Sequence, residues 1–141
     1  VLGAEVRQGA AKEIGWHRVR LSAEARTDPL WSGAPMAFTA FHWHGDIFDL
    51  PPNADSLASS DLTSHQAFRI GSAYGCLFHM EVTEKVIGEM VAAFADELGR
   101  EQLDGNEILA QVSGFLPSLR QVGRTFFQNW SALVADTAAS R

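Results

Sequence analysis

Through roughly its first eighty residues the chain alternates short apolar runs with turn chemistry; beyond them, apolar residues recur at helical spacing. Runs at Ala4–Arg7, Trp16–Leu21, Ala37–His44, Ser56–Ser59, Gln66–Ile70 and Ala73–His79 predict strands, most of them separated by Gly, Pro, Asn or Asp. Gly71 and Ser72 predict a hairpin turn between the last two. Asp28 before Pro29 predicts one capped helical turn over Pro29 to Trp31, whose work is to pack Leu30 and Trp31. Thr83 is a good N-cap, and Val86, Met90, Val91, Phe94 and Leu98 follow as one apolar stripe that Gly99 ends. A second helical stretch opens near Asn106 with Ile108, Leu109, Val112 and Phe115. Pro117 is expected to break or kink it before Leu119, Val122, Phe126, Trp130 and Leu133 form another stripe. Ala138 to Arg141 are expected to fray. The change of period places a boundary near Val82, with no linker to mark it.

Composition narrows the picture. A chain of 141 residues that is 46% hydrophobic can build a core and fits one compact domain. With 11 Lys+Arg against 17 Asp+Glu the net charge is -6, and the basic residues are scattered. That argues against nucleic acid and anionic membrane surfaces as partners. The single cysteine cannot close an internal disulfide, and no run of about 18 apolar residues or export signal is visible, so a cytoplasmic location is expected. The opening Val-Leu-Gly-Ala has no initiator methionine and reads as though residues preceded it.

The strongest chemical signal is Gly75-Cys76-Leu77-Phe78-His79-Met80-Glu81-Val82. Strand side chains alternate, so His79 and Glu81 point to one side with Cβ atoms about 6 to 7 Å apart, a gap that a glutamate spans to the nearer imidazole nitrogen. A carboxylate so placed orients the ring and stabilises the imidazolium formed when the other nitrogen takes a proton from a nucleophile. A bare His-x-Glu is also compatible with an ordinary surface pair.

The whole segment resembles the G-x-Q-F-H-P-E signature of class I glutamine amidotransferases. Lys12-Glu13-Ile14-Gly15-Trp16, Phe41-His42-Trp43-His44-Gly45-Asp46, Leu50-Pro51-Pro52, Leu57-Ala58-Ser59-Ser60 and Gln66-Ala67-Phe68-Arg69 follow in the order of the GMP synthase-like members, and Phe127-Gln128-Asn129-Trp130 is similar to their tail. Leu77 stands where the family usually has glutamine, and Met80 where many members have proline. The family's nucleophile sits in a G-x-C-x-G-x-Q elbow, which this sequence lacks. Cys76, three positions before His79 on the same expected strand, projects to the opposite face about 10 Å along the backbone and cannot serve it; it is read as a small buried hydrophobe.

The resemblance implies an α/β fold: the later half of a three-layer domain with a mixed, mostly parallel sheet, plus C-terminal helices. Residues 1–82 would belong to the amidotransferase core and 83–141 would be a helical extension packed on it. It implies hydrolysis of the glutamine side-chain amide with ammonia transfer, through a Cys-His-Glu triad of which this chain supplies catalytic His79 and Glu81. Trp43 and His44 would lie beside the substrate, glutamine or another γ-glutamyl small molecule, with backbone groups holding its amino acid end; Asp46 would fix the loop. No cofactor is implied. The missing partner would be the N-terminal half, a synthetase or a second copy of the chain, covering an open sheet edge and an apolar helix face. Alone, the chain is expected to be inactive.

Two other readings stay open. One is a catalytically silent module that keeps the fold for assembly. The other is a metal-dependent hydrolase, because His42, His44 and Asp46 alternate along an extended run and could present two imidazoles and a carboxylate to zinc or iron. Ile47, however, occupies the place where the H-x-H-x-D-H motif of metallo-β-lactamase-like hydrolases has its last histidine. His17 and His65 have no partner spacing and are read as structural or solvent-facing, and Arg18 with Arg20 as a solvated face.

Overall fold

A computed structural model describes residues 2–139, with side chains placed through 136; the fraying expected at Ala138 to Arg141 lies outside these described side chains. The chain runs β1 (Val6–Leu21), two 3-10 turns (Glu24–Arg26 and Pro29–Trp31), β2 (Ala37–Phe48), β3 (Asp55–Ser59), β4 (Ala67–Ile70), β5 (Ala73–Cys76), then α1 (Glu84–Ala93), α2 (Ala95–Arg100), α3 (Gly105–Ala110) and α4 (Val112–Ala139). Strands therefore precede helices, and the fold class is α/β. Among the described residues no helix is long and apolar enough to cross a membrane.

The sheet differs from the expected one first in the direction of its pairings. Its order is β2-β1-β3-β4-β5, and every pairing is antiparallel. Parallel neighbours need a crossover of a dozen or more residues, usually helical, and the connections between these strands carry nothing longer than a 3-10 turn. β1 is also one strand rather than the two short ones expected at Ala4–Arg7 and Trp16–Leu21. The stretch Gly9-Ala10-Ala11 does not break it, because β2 continues opposite to Phe48 and absorbs the irregularity as a register shift between Gln8 and Glu13. The β4–β5 hairpin is as expected: Ile70 pairs with Ala73, and Gly71 at φ +57 supplies the first central position of a II′-type turn.

The expected strand Ala73–His79 stops at Cys76. Leu77 N–H still bonds Gln66 O at 2.9 Å, and the chain then crosses to the far edge of the sheet, where His79 N–H bonds Phe41 O of β2 at 2.8 Å. The two ends of the strand order are thereby drawn together into a half-barrel. Phe78 makes the crossing inside the concave face, its ring 5.7 Å from Phe38, 5.8 Å from His42 and 6.1 Å from Trp31.

Asp28 caps the second 3-10 turn as expected, accepting from Leu30 N–H at 2.9 Å. It is also buried, and binds Arg69 Nη1 at 3.1 Å and the Tyr74 hydroxyl at 3.3 Å, so one carboxylate ties the turn to β4 and β5. Asn129 of α4 closes the other side, donating to Leu30 O at 3.0 Å and Ser32 O at 2.9 Å.

Thr83 caps α1 by accepting from Val86 N–H. The helix expected to run to Gly99 is split at Phe94, where the backbone leaves helical geometry, and Gly99 lies inside α2. Its buried positions are Ile87 and Leu98, while Val86 and Phe94 face solvent. Pro117 does not end α4: the helix runs through it, with Leu116, Leu119 and Val122 buried on the core side. The proline lies in the second turn, where one lost N–H bond is offset by this packing. Phe127, Trp130 and Val134 of the same helix remain exposed, at 44%, 40% and 51%.

Gly123 of α4 allows a close approach that the sequence pattern does not announce. A Cβ there would lie 2.8 Å from Met80 O and 3.4 Å from Met80 Cβ, so the helix rests directly on the segment between His79 and Glu81. Backbone cannot yield as a side-chain tip can. Gly123→Ala is expected to cost about 1–3 kcal/mol in urea unfolding despite alanine's better helix propensity.

Candidate functional site

His79 and Glu81 project together. His79 Nδ1 donates to Glu81 Oε1 at 2.8 Å, and Glu81 Oε2 accepts from Met80 N–H at 3.0 Å. The carboxylate is thus oriented by the backbone before it orients the ring. With its proton on Nδ1, the imidazole leaves Nε2 as the basic nitrogen. The pair is not sealed in: the side chains are 34% and 58% exposed. Burial works to raise the Glu81 carboxyl, but hydrogen bonds from its own N–H, from His79 and from Met80, with the His79 charge, outweigh it and hold the group below its ordinary value.

Trp43 and His44 sit next along β2 but turn elsewhere. The Trp43 indole N–H donates to Glu97 Oε2 of α2 at 3.0 Å, and its ring packs 5.6 Å from Phe94. Glu97 also takes Lys12 Nζ at 2.6 Å, so one acid links β1, β2 and α2. His44 donates from Nδ1 to Asp46 O at 3.1 Å, and its Nε2 faces Gln66 Nε2 at 3.4 Å and Glu13 Oε2 at 3.6 Å. Both nitrogens are engaged within the protein, so the His44–Asp46 stretch offers backbone rather than imidazole. His79 nonetheless lies near enough for its charge to bear on His44.

The alternating set His42, His44 and Asp46 is not assembled: Asp46 reaches His44 through its carbonyl, and among the described residues no group of three or more His, Cys, Asp or Glu is disposed to hold a metal ion. His42 is fully buried, its Nδ1 donating to Ala40 O at 3.1 Å, with the His17 ring edge-on at 5.3 Å. His17 is itself fixed by Ile14 O, and His65 by the Ser56 hydroxyl. Cys76 differs from the buried hydrophobe expected. The residue is exposed, yet protein atoms crowding its sulfur push the thiol up to about 12, and it donates to Phe78 O at 3.3 Å. It is a protonated thiol at neutral pH and a poor nucleophile.

Sequence reasoning assigned no role to Glu13, Thr63, Gln66 or Glu97. The available signal was an acid and an amide embedded in otherwise apolar strand segments, since such groups are buried only with partners.

No family model matches the chain. Individual proteins do. It is 32% identical over 102 residues to the glutamine amidotransferase-like protein YfeJ of Salmonella typhimurium, covering 72% of this chain and 43% of that protein. A glutamine amidotransferase crystal structure from Thermotoga maritima superposes with a TM-score of 0.81 at 31% identity, over 91% of this chain and 55% of that one. The family is that of the glutamine amidotransferases. A GMP synthase-type protein from Thermoplasma acidophilum superposes over 57% of this chain and 40% of its own, with 28% identity and a TM-score of 0.51. The chain thus spans about half the length of the amidotransferases it matches.

Two titrations follow from this geometry. Glu81 in the folded protein should titrate below its ordinary 4.5, and His79→Ala should raise it toward that value, read from the side-chain carboxyl carbon by NMR. Burial, the first cause, lowers His42 from 6.5 to about 4. A depressed folded value means that its contribution is complete above 6.5 and is lost as pH falls toward 4. Urea unfolding at pH 7 and pH 4.5 should therefore show wild type losing more stability than His42→Phe, by an amount on the order of 2–3 kcal/mol.

Proposed function

We propose that this chain carries the proton-handling half of a glutaminase site. On this reading residues 1–82 belong to the amidotransferase core, residues 83–141 form a helical extension packed on it, and the cysteine is supplied by a segment or chain outside these residues. The single observation that carries the reading is the bond from His79 Nδ1 to Glu81, which leaves Nε2 free on an exposed dyad.

The chemistry follows from that nitrogen. Nε2 takes the proton of an incoming thiol, and the thiolate attacks the side-chain amide carbonyl of glutamine to give a tetrahedral intermediate. As this collapses, the imidazolium returns its proton to the departing nitrogen, releasing ammonia and leaving a thioester. His79 then takes a proton from water, the hydroxide adds to the thioester, and glutamate leaves as the thiol is restored. Glu81 holds the ring in its productive tautomer and stabilises the imidazolium. Trp43 borders the substrate, and the backbone at His44 receives its amino acid end. The ammonia passes to a synthetase partner in the cytoplasm; a γ-glutamyl amide other than glutamine would follow the same steps.

One observation favours a silent assembly module instead, namely the exposed Phe127, Trp130 and Val134 on α4, which suit a covering partner better than solvent. The two readings part in one experiment. The gene is read upstream of the codon for Val1, and the full-length product is checked by intact mass and assayed for ammonia release from glutamine. A G-x-C-x-G-x-Q elbow and cysteine-dependent release are expected, with His79→Ala lowering kcat about 10²- to 10⁴-fold. The 141-residue chain by itself should release none. No elbow, or full activity in His79→Ala, would sink the proposal.

A further inference from the structure

Glu13 is 1% exposed and stands directly across from His44 in the β1–β2 ladder. Its Oε2 accepts from the Thr63 hydroxyl at 2.5 Å and from Gln66 Nε2 at 2.7 Å. Gln66 is 0% exposed, and the same nitrogen lies 3.1 Å from Ser60 Oγ and 3.4 Å from His44 Nε2. Ser60 and Thr63 close on each other, Ser60 N–H bonding Thr63 O at 2.9 Å and Thr63 N–H bonding Ser60 Oγ at 3.0 Å. One buried carboxylate therefore gathers β1, β2 and the connection from β3 to β4.

Stability alone is a weak reason for such a hub. Glu13 Oε1 and Gln66 Oε1 are buried without protein partners. An apolar pair of similar volume would fill the space at no desolvation cost, and replacing buried charged groups in that way is often neutral or stabilising. What the hub does achieve is control of His44. The Asp46 carbonyl can only accept, so Nδ1 of His44 carries the hydrogen. Nε2 then presents a lone pair toward the Gln66 amide nitrogen at 3.4 Å, whose two hydrogens are directed at Glu13 and Ser60, and an Nε2–H tautomer would set donor against donor there. The charged and titratable groups that bear on this ring are Glu13, His17, His42, whose ring lies 5.7 Å away, and His79; burial is the foremost influence and holds it below its ordinary value, with Glu13 opposing.

We propose that Glu13 is a positioning residue for the substrate shelf: through Gln66 and Thr63 it locks His44 in the Nδ1–H tautomer with the ring turned inward, and so fixes the His44–Asp46 backbone. The part of this that concerns glutamine rests on the function proposed above. The part that concerns the ring does not.

Ring-nitrogen NMR on the 141-residue protein tests the lock directly. Wild type should show the Nδ1–H tautomer of His44 at pH 7. Glu13→Gln keeps the shape and removes the charge, so His44 should titrate lower than in wild type; Glu13→Ala should let the ring populate both tautomers. Thr63→Val, a milder change suited to the case in which the Glu13 variants unfold, should broaden the tautomer preference in the same direction. An Nε2–H ring in wild type, or a His44 titration and tautomer unmoved by all three variants, overturns the proposal. A purely structural role would lower the unfolding midpoint and leave the ring alone. In the full-length gene product, Glu13→Gln should raise KM for glutamine about tenfold with kcat changed less than about threefold; an unchanged KM overturns the shelf assignment. Wild type that never turns over glutamine defeats the function proposed above, while the ring measurements still decide the lock.

Discussion

The hydrogen bond from His79 N–H to Phe41 O sets the terms for the rest of the molecule. Until residue 76 the chain builds an open antiparallel sheet whose outer strands, β2 and β5, lie at opposite ends of the order. The three residues that follow cross the concave face and fasten onto β2. Phe78 supplies the driving force, because its ring enters a cluster with Trp31, Phe38 and His42 that water cannot reach. Once Phe78 is inside, the residues that follow it must emerge at the β2 edge. His79 and Glu81 are presented there as a consequence of that packing.

The helical half then makes the presentation rigid. Gly123 lets α4 rest on the Met80 carbonyl, so the dyad's backbone is pressed between a sheet edge and a helix. Met80 N–H is consequently aimed at Glu81 Oε2, and the carboxylate is held from two sides. A glutamate at 58% exposure would otherwise sample many rotamers. Here the orientation of the acid is inherited from the backbone, and that of the imidazole from the acid.

How much of this could be read from the residues depends on the range of the interaction. Local chemistry was legible: the Asp28 cap, the Gly71 turn, the Thr83 cap and the two-residue spacing that lets Glu81 reach His79 all act within a few residues. Pairing was less so. The continuous β1 depends on β2 pairing on both sides of the bulge between Gln8 and Glu13, and the antiparallel order depends on which strands meet. The end of β5 at Cys76 could not be read from an apolar run that continues to Phe78, since the run is shared between a strand and a crossing. That Pro117 would not break the helix was hidden for a related reason: its local penalty is real, but Leu116 and Leu119 are buried on either side of it. At the site, the side-chain partners of Trp43 and His44 were not legible, because Glu97, Gln66 and Glu13 lie 22 to 54 positions away in the chain.

Two carboxylates set beside two histidines show how environment divides one chemistry into different tasks. Glu81 is solvated, takes a single hydrogen from His79 and leaves the other ring nitrogen open; the arrangement suits a base that must exchange protons with something arriving from outside. Glu13 is buried, saturates its near oxygen with Thr63 and Gln66, and meets a histidine whose other nitrogen already serves a carbonyl. Nothing is left on that ring to trade, so its contribution is geometric. Both pairs lie along β2, one at its free edge through the His79 bridge and one within its ladder to β1. The strand that receives the exposed pair is thus held by the buried one. Reversing the environments would leave His79 walled off from any thiol and His44 free to swing, and the same four residues would then support neither proton transfer nor a fixed backbone beside it.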